Sequence, residues 1–219
     1  MGRHPRWWPL LATNFLGVLN DNYLKTLACF IAVLWVGKEY EAPLVSLAAG
    51  SLVIPYVFLS PLAGRWAVIF NKISVVRICK LAEIPIMLFA SAGFLLHSVW
   101  MVIGSILLMG TQSCLFSPSK YGLIRDIGGT EHIAFGTGNM EMVSFLGMIL
   151  GTMMASFFAR TVPAWGLSLT FLLIAAGGLC CSLSIKAVES PPEKNHDTIR
   201  PLTYLVRSMR HAAKYPGLN

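Results

Sequence analysis

The chain has 219 residues, of which 55% are hydrophobic and only 12% charged, with a formal net charge of +7. Soluble domains carry about 25% charged residues, so an ordinary water-facing surface is excluded. The basic excess does not indicate a nucleic-acid partner, because no stretch interleaves basic side chains with aromatics as a nucleic-acid groove does.

Crossing about 30 Å of hydrocarbon takes roughly 20 apolar residues in a helix. Six runs meet that requirement, at residues 9–36, 44–62, 73–96, 99–116, 133–159 and 164–185. The fold class expected is therefore an all-α polytopic membrane protein with six transmembrane helices. Residues 1–186 form the bundle, and residues 187–219 form a cytoplasmic linker. In that linker Pro201 suits a first helical turn, and Leu202, Leu205, Val206 and Met209 share one face of an amphipathic helix. The Asp and Lys inside the first run argue against a cleaved signal peptide, so it is read as a retained helix.

The first run is the least uniform. It carries Asn14, Asn20, Asp21, Asn22 and Lys25, and Asp21 falls roughly 18 Å along the helix from Pro9 at 1.5 Å per residue. An ionisable side chain at mid-membrane costs about 2.5–3.5 kcal/mol on insertion scales, so it normally faces protein or water. Asp21 and Lys25 stand i, i+4 on one face, which leaves open a self-neutralising pair. Glu83, with Lys80 one turn before it, lies in the third run, Gln112 and Ser113 in the fourth, and Glu141 beside Asn139 in the fifth. Polar groups at comparable depth in four runs point to a shared hydrated cavity. Gly147 and Gly151 have the GxxxG spacing that lets helices approach closely.

Lys and Arg flanking helices favour the cytoplasmic side. Arg3, Arg6, Arg65, Lys72, Arg77, Lys80, Lys120, Arg125, Lys186 and the basic residues beyond 190 fall on one side of the six runs, against Lys38 and Arg160 on the other. Both termini are thus expected in the cytoplasm. No HxxxxD pattern, phosphate-binding loop, cofactor motif or metal-ligand spacing is present to support catalysis, so no enzyme activity and no cofactor are expected.

Four segments, NFLGVLNDNYLK (14–25), LSPLAGRWAVIFNK (59–72), FSPSKYGLIRDI (116–127) and GTGNMEMVSFLGMILG (136–151), resemble the major facilitator superfamily, and within it the bacterial lysophospholipid transporter group. The resemblance covers nearly the whole chain and is most specific at Ser117–Gly122. It implies the N-terminal six-helix half of a fold built from a 3+3 inverted repeat, in the bacterial inner membrane, moving lysophospholipid such as lysophosphatidylethanolamine by alternating access. The partners it implies are the bilayer, the lipid substrate and a second six-helix half, supplied by the same longer chain, a split subunit or a homodimer mate.

The residues matched for headgroup and gate are Asp21, Asn22, Lys120 and Glu141. With their polar neighbours, the expected substrate-binding set is Asn14, Asn20, Asp21, Asn22, Lys25, Glu83, Gln112 and Glu141. The expected gating set is Asp21, Gly64, Lys72, Ser117, Lys120, Tyr121, Arg125 and Asp126. The loop between the second and third helices departs from the superfamily pattern, with Val68 and Ile69 where an Asp and an Arg usually stand, and Asp126 in the next inner loop is the candidate to compensate. The competing readings are a non-transporting membrane scaffold, whose polar residues serve helix association alone, and a transporter for another small polar solute.

Overall fold

A computed structural model describes residues 7–189, and the expected linker helix lies outside them. The described chain forms six long helices: α1 (Trp8–Val36), α2 (Glu41–Ile69), α3 (Lys72–Leu95), α4 (Val99–Gly128), α5 (Ile133–Thr161) and α6 (Ala164–Leu183), with single 3-10 turns at Lys38–Tyr40 and Thr130–His132. No strand occurs among the described residues. By length and composition α2, α4, α5 and α6 suffice to cross a membrane. The other two, α1 and α3, carry Asp21, Lys25, Lys80 and Glu83 well inside the helix.

Two expected loops are helical instead. The segment 64–69 is the last part of α2, and 117–128, read as a polar loop, is the last part of α4. Pro61 and Pro118 lie inside these helices. A proline removes one backbone donor, which a membrane helix tolerates where neighbouring helices and local adjustment satisfy the freed carbonyl. The stop comes only at Gly129, whose φ of 71° is a backbone conformation natural to glycine.

The helices pack in a definite pattern. α1 lies chiefly against α5 and α6, α2 against α4, and α3 against α4 and α6. Trp7 reaches Gly128 and Gly136, and the Ile73 N–H donates to Glu189 Oε1 at 3.1 Å. The start of α1, the α2–α3 and α4–α5 links and the segment after α6 therefore gather at one end of the bundle.

Because lipid is as apolar as a buried leucine, helices in a membrane associate through close packing and small residues more than through the hydrophobic effect. Gly147 and Gly151 form such a contact. A methyl group at either would come closer than 3.0 Å to the backbone carbonyl oxygen of Phe15 or Leu19 on α1. At Gly110, α4 meets the Leu52 carbonyl of α2 in the same way.

Two apolar clusters fill the bundle. One contains Tyr23, Leu27, Met87, Phe94, Ile106, Met109 and Phe171; the other, toward the end where the links gather, contains Leu10, Val76, Phe116, Leu123 and Met140. Between them, Asn14, Asn20 and Asp21 of α1, Lys80 and Glu83 of α3 and Gln112 and Ser113 of α4 make a polar layer, with an apolar core on either side.

Gly151→Ala will lower the thermal unfolding midpoint in detergent, with an overpacking cost of about 1–3 kcal/mol. The same change at Gly138, where nothing lies within 4 Å of an added methyl, will leave the midpoint close to the parent's.

Candidate functional site

The polar layer encloses a cavity of about 60 Å³ lined by Asn14, Gly17, Val18, Asp21, Tyr56, Lys80, Gln112, Ser113, Phe116, Ser117 and Lys120. That is room for one compact polar group or a few waters. α1 presents Asn14, Gly17 and Asp21 along one stripe at i, i+3 and i+7, which face the same way on a helix.

Each charged group in the layer meets a partner from another helix or its own next turn. Lys120 donates to Asn14 Oδ1 at 2.8 Å, and the Asn14 amide continues to Ser144 Oγ on α5 at 2.7 Å. The Ser113 hydroxyl donates to Asp21 Oδ2 at 2.7 Å. Glu83 accepts from Asn20 Nδ2 at Oε1 and from Lys80 Nζ at Oε2, both at 2.7 Å. Gln112 ties α4 to α3 through the Cys79 carbonyl at 3.1 Å. Two oxygens of the layer, Asp21 Oδ1 and Asn20 Oδ1, are buried and have no hydrogen-bond partner among the described residues, and that of Asp21 belongs to a carboxylate. Leaving a buried charged oxygen unmet costs more than an ordinary missing hydrogen bond.

The expected site residues divide by location. Asn14, Asp21, Gln112, Ser117 and Lys120 converge on the cavity. Asn20 and Glu83 stand behind its wall, where both Glu83 oxygens are occupied. Asp21 and Lys25 do not pair: Lys25 donates to Asn22 Oδ1 at 3.0 Å, Asn22 to the Val18 carbonyl at 2.8 Å, and Asp21 turns to Ser113. The i, i+4 spacing permits the pair, but the α4 hydroxyl offers Asp21 a partner inside the bundle.

Glu141 accepts from the Tyr121 hydroxyl, linking α5 to α4 outside the cavity. Toward the end where the links gather, Lys72 and Asp126 form an ion pair at 2.8 Å, with the Asp126 side chain 2% exposed. Asp126 thus meets the start of α3, and it does so from within α4 and not from a loop. Gly122 leaves room for the Lys72 stem. Gly64 has no atom within 4 Å of an added methyl, and Arg125 is exposed in the last turn of α4.

Lys80, Ser113, Tyr56 and Phe116 were not in the expected set, although all four line the cavity. For Lys80 the sequence offered one signal, a lysine one turn from a glutamate inside an apolar run. Its ammonium occupies space left by Gly17 and its stem passes Gly178, two glycines distant in sequence.

A bundle of apolar helices with charged side chains converging on an internal cavity has the construction of a polytopic membrane transport protein. Sequence comparison is specific on this point: the family model described as Major Facilitator Superfamily matches residues 12–217, and the chain belongs to that family of membrane transporters. It is also similar to the lysophospholipid transporter LplT of Yersinia pestis (strain Pestoides F) and to that of Yersinia pseudotuberculosis serotype I (strain IP32953). In both cases the identity is 27% over 184 residues, covering 82% of this chain and 39% of the relative. The chain thus spans well under half the length of these curated relatives.

Asn14→Ala will leave the buried Lys120 ammonium without its acceptor and destabilise the bundle by about 1–3 kcal/mol. Adding Lys120→Met will recover most of that loss, as read by thermal unfolding of the single and double variants.

Proposed function

We propose that this chain is the N-terminal six-helix half of a major facilitator transporter that moves lysophospholipid, such as lysophosphatidylethanolamine, across the bacterial inner membrane by alternating access. The observation that carries this reading is the Asp21 carboxylate with one oxygen unmet, lining the same cavity as Lys120. A zwitterionic headgroup supplies both complements, an ammonium for Asp21 and a phosphate for the lysine. The similarity to lysophospholipid transporters supports that choice of substrate.

In this reading all six helices span the membrane, residues 1–186 being the bundle and 187–219 the cytoplasmic linker. The packing pattern fits a 3+3 repeat. Exchanging α1–α3 with α4–α6 turns the α1–α5 contact into α4–α2 and the α3–α4 contact into α6–α1, and leaves α3–α6 unchanged. The end where the links gather carries Lys72, Arg77, Arg125 and Lys186 and is assigned to the cytoplasm by the distribution of basic residues. A second six-helix half is assigned to the faces of α2 and α5, which expose Val53, Val57, Phe58, Phe145, Ile149 and Met153.

Asn14, Asp21, Gln112 and Lys120 then form the headgroup site, with Asn20, Asn22, Lys25 and Glu83 supporting it and Glu141 joined to the gate through Tyr121. Gating falls to the Lys72–Asp126 ion pair together with Gly64, Ser117, Lys120, Tyr121 and Arg125. Lys72 sits at the start of α3 and Asp126 near the end of α4, so parting them frees the cytoplasmic ends of two helices that meet beside the cavity.

Asp21→Asn keeps the size of the side chain and removes its charge. In the native polypeptide that carries this chain, reconstituted in vesicles, lysophosphatidylethanolamine translocation will fall at least about tenfold, the factor produced by about 1.4 kcal/mol. Undiminished flux in that variant would overturn the assignment.

A further inference from the structure

Lys80 is 1% exposed in an otherwise apolar bundle, and its surroundings are built to hold it. Its stem passes Gly178 of α6. Its ammonium occupies the space a side chain at Gly17 of α1 would fill, since a methyl there would come closer than 3.0 Å to Nζ. Glu83 accepts from it, and Asn20 fixes the other Glu83 oxygen. The Lys80 ammonium lies 5.3 Å from the centre of the Phe116 ring and that of Lys120 lies 5.9 Å from it. Each of these ammonium groups has three donors, and each has one hydrogen-bond acceptor among the described residues.

The charge arrangement around the cavity is uneven. Lys80, Lys120 and Asp21 line it, while Glu83 stands behind Lys80 and both its oxygens are already taken. The four groups balance overall, but the wall itself carries two cations and one anion. An ion pair serving helix packing alone has no need of a cavity on its open side. Lys80 and Glu83 are also one turn apart on the same helix, so their bond does not itself join two helices.

We propose that Lys80 is a second phosphate ligand of this site. It acts with Lys120 across Phe116 to hold the phosphate group of the substrate, while Glu83 and Asn20 position it and Asp21 Oδ1 remains for a cation. The proposal rests on the reading of the cavity as a headgroup site, and it names the residue pair that recognises phosphate. Lys25, the other lysine of that region, bonds to Asn22 and is outside the cavity lining.

The test uses the native polypeptide carrying this chain, purified in detergent. Affinity is measured for lysophosphatidylethanolamine, for its soluble headgroup glycerophosphoethanolamine, for inorganic phosphate and for an uncharged monoacylglycerol. Two double variants separate packing from recognition. Lys80→Met with Glu83→Gln removes both charges and keeps a partner for Asn20. Lys80→Glu with Glu83→Lys keeps a buried pair but moves the ammonium one turn away. Expected is an unfolding midpoint near the parent's, lysophosphatidylethanolamine affinity at least about tenfold weaker in both, and unchanged monoacylglycerol binding. A folded double variant that binds lysophosphatidylethanolamine like the parent overturns the role of Lys80 and leaves the transport reading standing. Should both fail to fold, Gly17→Ala displaces the ammonium without altering any charge; the same loss is expected, and parental affinity overturns the proposal. If the parent binds the soluble phosphates and not the lysolipid, and the Lys80 changes weaken that binding, the phosphate site stands and the lipid substrate falls. A parent that binds none of the phosphate compounds overturns both.

Discussion

A lysine and a glutamate, each 1% exposed, share a bundle whose two cores are built of aliphatic and aromatic side chains. Taking two such charges out of water costs several kcal/mol per ion even after relaxation, and mutual attraction offsets this only where further hydrogen bonds complete the geometry. The remaining arrangement follows from that requirement. Asn20 must come from α1 to occupy the second Glu83 oxygen, glycine must stand at position 17 for the ammonium to fit, and apolar clusters on both sides must keep the layer closed. Gln112 meets α3 at the Cys79 carbonyl, immediately before Lys80, so α4 is drawn into the same register.

The helix contacts differ in kind, and this bears on which parts can move together. Where α1 meets α5 and α2 meets α4, backbone lies against backbone at Gly147, Gly151 and Gly110, contacts that any separation would lose outright. The contacts across the cavity are side chain to side chain: Lys120 to Asn14 and Ser113 to Asp21. Such bonds exchange partners by rotamer change. The bundle therefore combines two tightly seated helix pairs with an adaptable polar seam between α1 and α4.

The six helices were legible from hydropathy because each apolar run is longer than any turn could be, and their starts lie within about three residues of the observed ones. The far ends of α2 and α4 were not. Segments such as Ser117–Asp126 have the polarity and proline content of a loop, and their helicity depends on the bundle they pack into. At the site, the concentration of polar residues in α1 marked the correct stripe, but spacing gave the wrong partner for Asp21, since i, i+4 geometry says who can meet and not who does. Lys80 escaped because its ammonium fills space left by the absence of a side chain at Gly17, and an absence on a distant helix leaves no local pattern to read.

The order of the polar partners along the chain has a consequence for biogenesis. Asn14, Asn20 and Asp21 are made before their partners: Glu83 follows Asn20 by 63 residues, Ser113 follows Asp21 by 92 and Lys120 follows Asn14 by 106. At a synthesis rate of about 5–20 residues per second, Asn14 waits on the order of 5–20 s for Lys120, and longer for Ser144 of α5. During that interval the α1 amides and carboxylate lack their final acceptors and donors. Nascent α1 is thus too polar to settle among apolar surroundings by itself, and its stable placement depends on α3 and α4 arriving to meet its polar stripe.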